Sequence, residues 1–189
     1  MGKLQEEINQ YVNGVDVERI DELKASFNDD PDLASLRFSA TNEWVDGANS
    51  RTVVKGLYQN EKEITRETPF VLESDEPNVL LGNDIAPNAI VSLLHALASS
   101  LSVSIVYHAA MRGINIDRLT ISLEGDVDVH GFLGMSKEVR PGFQDLRVKV
   151  NLESGAPAEE ISDLVRYAQT VSPILDSLRN RIPLDVEMA

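Results

Sequence analysis

From residue 85 to residue 111 the chain carries no Asp, Glu, Lys or Arg, and this constrains the fold more than any other feature of the sequence. Pro87-Asn88 makes a good helix start, and Arg112-Gly113 makes a stop, a cation followed by a residue that readily leaves helical geometry. At about 1.5 Å per residue, a helix of about 24 residues is about 36 Å long, enough to cross a small domain. Small, polar and apolar residues occur all round it. A helix with no charged face has to be covered on nearly every side. One domain of this size rarely covers so long a helix alone, so an obligate partner subunit is expected. The segment is also long enough to span a bilayer. Yet it holds Asn88, Ser92, His95, Ser99, Ser100, Ser102, Ser104 and His108, with no basic cluster beyond either end. It reads as a helix of a soluble protein, and no membrane partner is expected.

Composition narrows the chemistry. The chain has 189 residues and no cysteine, which excludes disulfides, thiolate metal sites, thiol nucleophiles and thiol redox cycling within it. Seventeen basic residues against 31 acidic ones give a net charge of −14. Such a surface repels phosphate backbones and anionic lipid headgroups, so no nucleic-acid partner is expected. The acidic excess is greatest near the amino terminus. The opening Met-Gly-Lys-Leu-Gln-Glu-Glu has no apolar stretch of the kind that follows a secretory n-region, so the cytoplasm is the expected location.

Along the chain the periodicity changes twice. Leu4, Ile8, Tyr11, Val12, Val17, Ile20, Leu23 and Phe27 have helical spacing with a break at Asn13-Gly14, and Asn28-Asp29-Asp30-Pro31 stops the run. Residues 1–30 are thus expected to form a helical extension, and residues 31–189 the main domain. Alternation over residues 36–46, 51–58 and 64–74 predicts an antiparallel meander. After the uncharged helix, Leu119, Ile121, Leu123, Val127 and Val129 alternate, residues 131–142 read as a loop, and Leu146, Val148, Val150 and Leu152 alternate again. Pro157 with Glu159 and Glu160 opens a helix to about Thr170. Ser172-Pro173 restarts a shorter one, and Ile182, Leu184, Val186 and Met188 predict a terminal strand. The fold class is α+β, with helices packed against antiparallel sheet.

The sequence of residues 87–101, Pro-Asn-Ala-Ile-Val-Ser-Leu-Leu-His-Ala-Leu-Ala-Ser-Ser-Leu, resembles the central helix of the OsmC/organic-hydroperoxide-resistance family. Residues 109–114, Gly125-Asp126-Val127-Asp128, Gly131-Phe132-Leu133-Gly134, Arg140-Pro141-Gly142-Phe143 and Ser172-Pro173 follow in family order. The resemblance covers roughly residues 36–189. It implies an intertwined homodimer in which antiparallel sheets pack around long central helices. It also implies peroxide-stress chemistry: one cysteine attacks an organic hydroperoxide, a second resolves it, and an arginine and a glutamate assist. Ser100 stands where the attacking cysteine is expected, and Ser172 where the resolving one is. Ile90 and Val91 stand where the glutamate is expected, and Arg51 is the candidate arginine.

A serine hydroxyl is a poor nucleophile towards peroxide oxygen and has no sulfenic-acid form to recycle. The expected protein therefore has no thiol peroxidase activity and no cofactor. What the resemblance leaves is a small hydrophobic ligand in an apolar pocket at the dimer interface, with Ser100, Ser104, Tyr107 and His108 as candidate contacts. The alternative is an enzyme of the same fold, a hydroperoxide reductase or a hydrolase using Ser100. Ser100, Ser104 and His108 share a helix face, yet Ser100 and His108 are about 12 Å apart along it, too far for a direct hydrogen bond. His95, His108 and His130 lack metal-ligand spacing, and no metal site is expected. Asp126 and Asp128 alternate with Val127 as a solvated strand face would, although paired acids or a calcium site have the same spacing.

Overall fold

The computed structural model describes residues 11–188, and within them the chain divides into two compact units. One comprises Glu18–Leu93; the other joins the described part of Met1–Val17 to Leu94–Ala189.

The first unit is built around one long strand. A helix, α1 (Val17–Asp29), is followed by a 3-10 turn at Pro31–Ala34 and by strands β3 (Leu36–Phe38), β4 (Thr41–Asp46), β5 (Asn49–Gln59) and β6 (Lys62–Ser74). All pairings are antiparallel. Strand β6 follows the length of β5, while β3 and β4 pair with its two ends. The β5–β6 hairpin turns on Asn60 and Glu61, both at positive φ, as a two-residue connection between right-twisted strands requires. Between Val54↔Phe70 and Gly56↔Thr65 the register breaks, and Arg66–Pro69 bulge opposite Lys55. Proline is tolerated there because a bulge frees it from the ladder. Gly56 is buried at the same point, and a Cβ on it would lie 2.2 Å from the Ile64 carbonyl oxygen, so no larger residue fits without moving the backbone.

Beyond β6 a loop folds around Asp75, whose side chain is buried. Its Oδ1 accepts from the Glu76 N–H at 2.9 Å, and its Oδ2 accepts from the N–H groups of Asn83 at 3.0 Å and Ile85 at 3.4 Å. Asn88 then connects loop to helix. Its amide donates to Glu76 at 2.9 Å, and its Oδ1 accepts from the Val91 N–H at 3.0 Å as an N-cap.

Helix α2 (Ala89–Met111) is the uncharged segment, with the start and stop that its flanking residues predict. At its end Gly113 takes φ +68°, and the N–H of Ile114 bonds back to the Ala109 carbonyl, closing the helix in a left-handed cap. Six residues are buried within the chain: Leu97, Leu101, Ser104, Ile105, Ala109 and Ala110. His95, Ser99, Val103 and Tyr107, four residues apart, form an exposed stripe. The near-complete cover expected of this helix is therefore not supplied by the described residues.

In the second unit β7 (Arg118–Val127) and β8 (Phe143–Glu153) pair from Arg118↔Glu153 to Asp126↔Asp145. Helices α4 (Ala158–Val171) and α5 (Pro173–Arg179) follow, α4 with Glu159 and Glu160 in its first turn against the helix dipole. The core joins Ile105 and Ala109 to Ile114, Leu164 and Ala168, flanked by Ile121, Val150 and Leu152. A hairpin of β1 (Tyr11–Val12) and β2 (Val15–Asp16) joins this unit through Asn13, which donates to the Ile114 carbonyl at 2.9 Å and accepts from the Ile116 N–H at 2.8 Å.

Three expectations are corrected. The helical reading of residues 4–27 fails over Tyr11–Asp16, which form that hairpin; Asn13 and Gly14 both take positive φ, the conformation that Asn-Gly favours in a two-residue turn. Residues 4–10 lie outside the described residues. Val129 does not extend β7 but opens the short helix α3 (Val129–Phe132), because Asp128 caps it. Residues 182–188 pair with no strand among the described residues, and Leu184 and Met188 are 78% and 100% exposed.

Replacing Asp75 by Ala strands three backbone donors in the loop before α2. At roughly 1 kcal/mol or more per unsatisfied donor, urea unfolding should report a loss of about 3 kcal/mol. A loss below about 1 kcal/mol would mean that the loop does not depend on this carboxylate.

Candidate functional site

The middle of α2 and the junction of α4 with α5 bring two serine side chains together. Ser100 Oγ and Ser172 Oγ are 2.9 Å apart, and Ser100 Oγ also accepts from the Ile174 N–H at 3.3 Å. Ser172 is fully buried, and Ser100 is half-buried between buried Leu101 and exposed Ser99. Two sequence features create the encounter. Pro173 ends α4 and starts α5 with its fixed φ, so Ser172 lies between the helices rather than inside one. The core contacts of α2 with Leu164 and Ala168 then hold α4 alongside it.

The pair has the geometry of a satisfied hydrogen bond and lacks the parts of a nucleophile. A serine attacks only when an adjacent base takes its proton. The partners of Ser100 are another hydroxyl and a backbone N–H, and neither is a base. His108 is elsewhere. Its ring stands edge-on to Tyr167, with centroids 4.8 Å apart, and the Arg112 guanidinium lies 5.0 Å from the centre of the same tyrosine ring. Of the other candidates, Ser104 is buried and Tyr107 is exposed. Arg51 belongs to the other unit, where its Nε donates to Glu73 at 2.7 Å. The structure thus unites Ser100 with Ser172 but does not unite Ser100 with His108. Neither the Ile174 N–H nor Tyr167 was singled out from the sequence. A backbone donor leaves no sequence signal, and Tyr167 is one residue of an ordinary amphipathic helix.

The remaining acids and histidines are engaged separately. Asp126 is held by Arg147, whose guanidinium also reaches Asp145 at 2.8 Å and Glu124 at 3.3 Å. The hydrogen bond from Arg147 keeps the Asp126 carboxyl below the ordinary aspartate range. Asp128 instead accepts from the backbone N–H of His130 at 3.0 Å and lies 2.7 Å from its Nδ1, and these bonds lower its pKa too. Both groups are exposed, so each adds stability only above the ordinary carboxylate pKa and loses it as pH falls through the depressed one. The two aspartates do not form one site. His95 is exposed on α2, and among the described residues no cluster of His, Asp and Glu is placed to hold a metal ion.

An antiparallel α+β fold around a long uncharged helix, with paired hydroxyls between that helix and the α4–α5 junction, defines the class of protein. The model of the OsmC-like protein family matches residues 82–187, more than half of the chain, and the chain belongs to that family. A search of curated proteins finds no relative. Solved structures share the fold at low identity. An OsmC-like protein from Mycoplasma pneumoniae is 13% identical with a TM-score of 0.57, the match covering 76% of this chain and 87% of that one. An OsmC-like protein of unknown function from Vibrio cholerae is 14% identical with a TM-score of 0.52, covering 75% and 92%. A further V. cholerae protein, assigned to organic hydroperoxide resistance and solved with captopril in one of its active sites, is 17% identical with a TM-score of 0.51, covering 75% and 85%. The family is thus one related to hydroperoxide resistance, and this member has no cysteine.

Side chains whose Oγ atoms already touch need little movement to form a covalent link. The double variant Ser100→Cys/Ser172→Cys should therefore oxidise to an intramolecular disulfide in air, seen as a two-hydrogen loss in intact mass. Persistence of both thiols under added oxidant would contradict the geometry.

Proposed function

We propose that this protein is a cytoplasmic, homodimeric member of the OsmC-like family that has no thiol peroxidase activity and binds a small hydrophobic molecule at its dimer interface. The observation that carries the reading is the Ser100–Ser172 hydrogen bond: two hydroxyls satisfy each other at the positions the family resemblance assigns to redox cysteines, and no base is bonded to them among the described residues. A hydroxyl pair cannot be oxidised to a sulfenic acid and resolved as a disulfide.

The dimer reading is supported by what a single chain leaves uncovered. The exposed stripe of α2 has no charge, and Phe38, Trp44, Phe70 and Leu72 of the first sheet are all more than half exposed. Apolar area of that extent on a chain of net charge −14 is the signature of an interface. The length and composition of α2 would also let it cross a membrane. Its serines and histidines favour a protein interface instead, because there they can find hydrogen-bond partners. The half-buried hydroxyl of Ser100, at the border of the stripe, would then offer an interfacial ligand its polar contact.

The test is a dithiol-dependent peroxide assay using an alkyl hydroperoxide. The natural protein should consume none above the uncatalysed rate, and Ser100→Cys/Ser172→Cys should give at most weak turnover, because Ile90 and Val91 stand where the assisting glutamate is expected. Robust turnover by the natural protein would overturn the proposal.

A further inference from the structure

A cavity adjoins the elements that carry the serine pair, and all its walls come from one compact unit. It occupies about 290 Å³ between α2, β8, α4 and α5. Leu101 and Ile105 of α2, Val148 and Val150 of β8, Val165 of α4 and Leu175 of α5 make its apolar walls, and its two polar side chains are Gln169 and Arg179. Arg179 closes the last turn of α5 and is exposed, with no ion-pair partner among the described residues. Gln169 donates one amide N–H to the Val165 carbonyl at 3.3 Å, which leaves the other free to donate. The cavity therefore combines an aliphatic interior with two sets of unused donors and no acid, in a chain whose acids outnumber its bases by 31 to 17.

We infer that this cavity binds a medium-chain aliphatic carboxylate, the acyl chain lying among the valine and leucine side chains and the carboxylate meeting the Arg179 guanidinium. Charge and size select the ligand. A guanidinium presents parallel donors that match both oxygens of a carboxylate. A volume near the lower end of small-molecule pockets suits one short chain rather than a ring system or a peptide. A neutral alkane or alcohol fills the interior but leaves the arginine without an anion. The inference is independent of the proposed function above, since it requires neither the Ser100 hydroxyl nor the partner subunit. The nearest competing occupant is the chain itself: the exposed apolar residues Ile182, Leu184 and Val186 begin three positions beyond Arg179.

Isothermal titration of the full-length protein with octanoate, 1-octanol and butanoate tests the site. Octanoate should bind saturably, and butanoate more weakly by roughly fourfold for each methylene removed. Arg179→Gln, a surface change that spares the core, should weaken octanoate about tenfold and leave octanol unchanged. Val165→Trp should abolish binding of both by filling the cavity. Absence of saturable octanoate binding, or equal affinity in Arg179→Gln, would overturn the inference. So would octanoate binding that emerges only in Leu184→Asp/Val186→Asp, because the cavity would then belong to the protein's own carboxyl-terminal segment.

Discussion

The structure depends on burying one helix that has no charge. Helix α2 supplies Ile105 and Ala109 to the core of the second unit, and its flanking loop is organised by the buried carboxylate of Asp75. Only part of its circumference is covered by the described residues. The uncovered part is a row of His, Ser, Val and Tyr without a charged residue. On the proposed reading a second copy meets this surface, which gives Ser99 and His95 partners and takes Val103 and Tyr107 out of water.

The same helix makes a contact that needs no thiol. Ser100 and Ser172 are nearly isosteric with cysteine, so they hold the α2 to α4–α5 contact by a hydrogen bond where a thiol pair would be reactive. A buried hydrogen bond contributes on the order of 1 kcal/mol, and replacing one hydroxyl by hydrogen would leave the other without its side-chain partner. The pair thus has a structural role that demands no catalysis. Family membership and shared fold do not by themselves assign an activity, because function is decided by the residues at the site.

Much of this was legible in the sequence, and the failures have physical causes. The bounds of α2 followed from Asn88 and Gly113, residues that cap helices by their own chemistry. The meander of the first unit and the β7–β8 hairpin followed from alternation, and the Ser172-Pro173 break from proline geometry. The amino-terminal hairpin escapes a periodicity argument because Tyr11, Val12 and Val17 also fit a helical period, and Asn13-Gly14 suits a helix break as well as the turn it forms. Alternation in Ile182, Leu184, Val186 and Met188 shows that one face wants burial, but a strand needs a neighbour, and pairing cannot be read from a segment alone. Asp128 looked like a strand residue because its capping role depends on the turn that follows. The meeting of Ser100 with Ser172 came from resemblance; nothing in the local pattern of either residue indicates the other.

The measurement that bears most directly on this account is the native mass of the purified protein at micromolar concentration, taken for the natural chain and for Val103→Arg. The account predicts a dimer for the natural chain. It predicts a monomer or aggregate for the variant, since a charge buried in the α2 interface would lack a partner. A natural chain that is monomeric, or a dimer unaffected by Val103→Arg, would contradict the claim that the uncharged face of α2 is covered by a second copy.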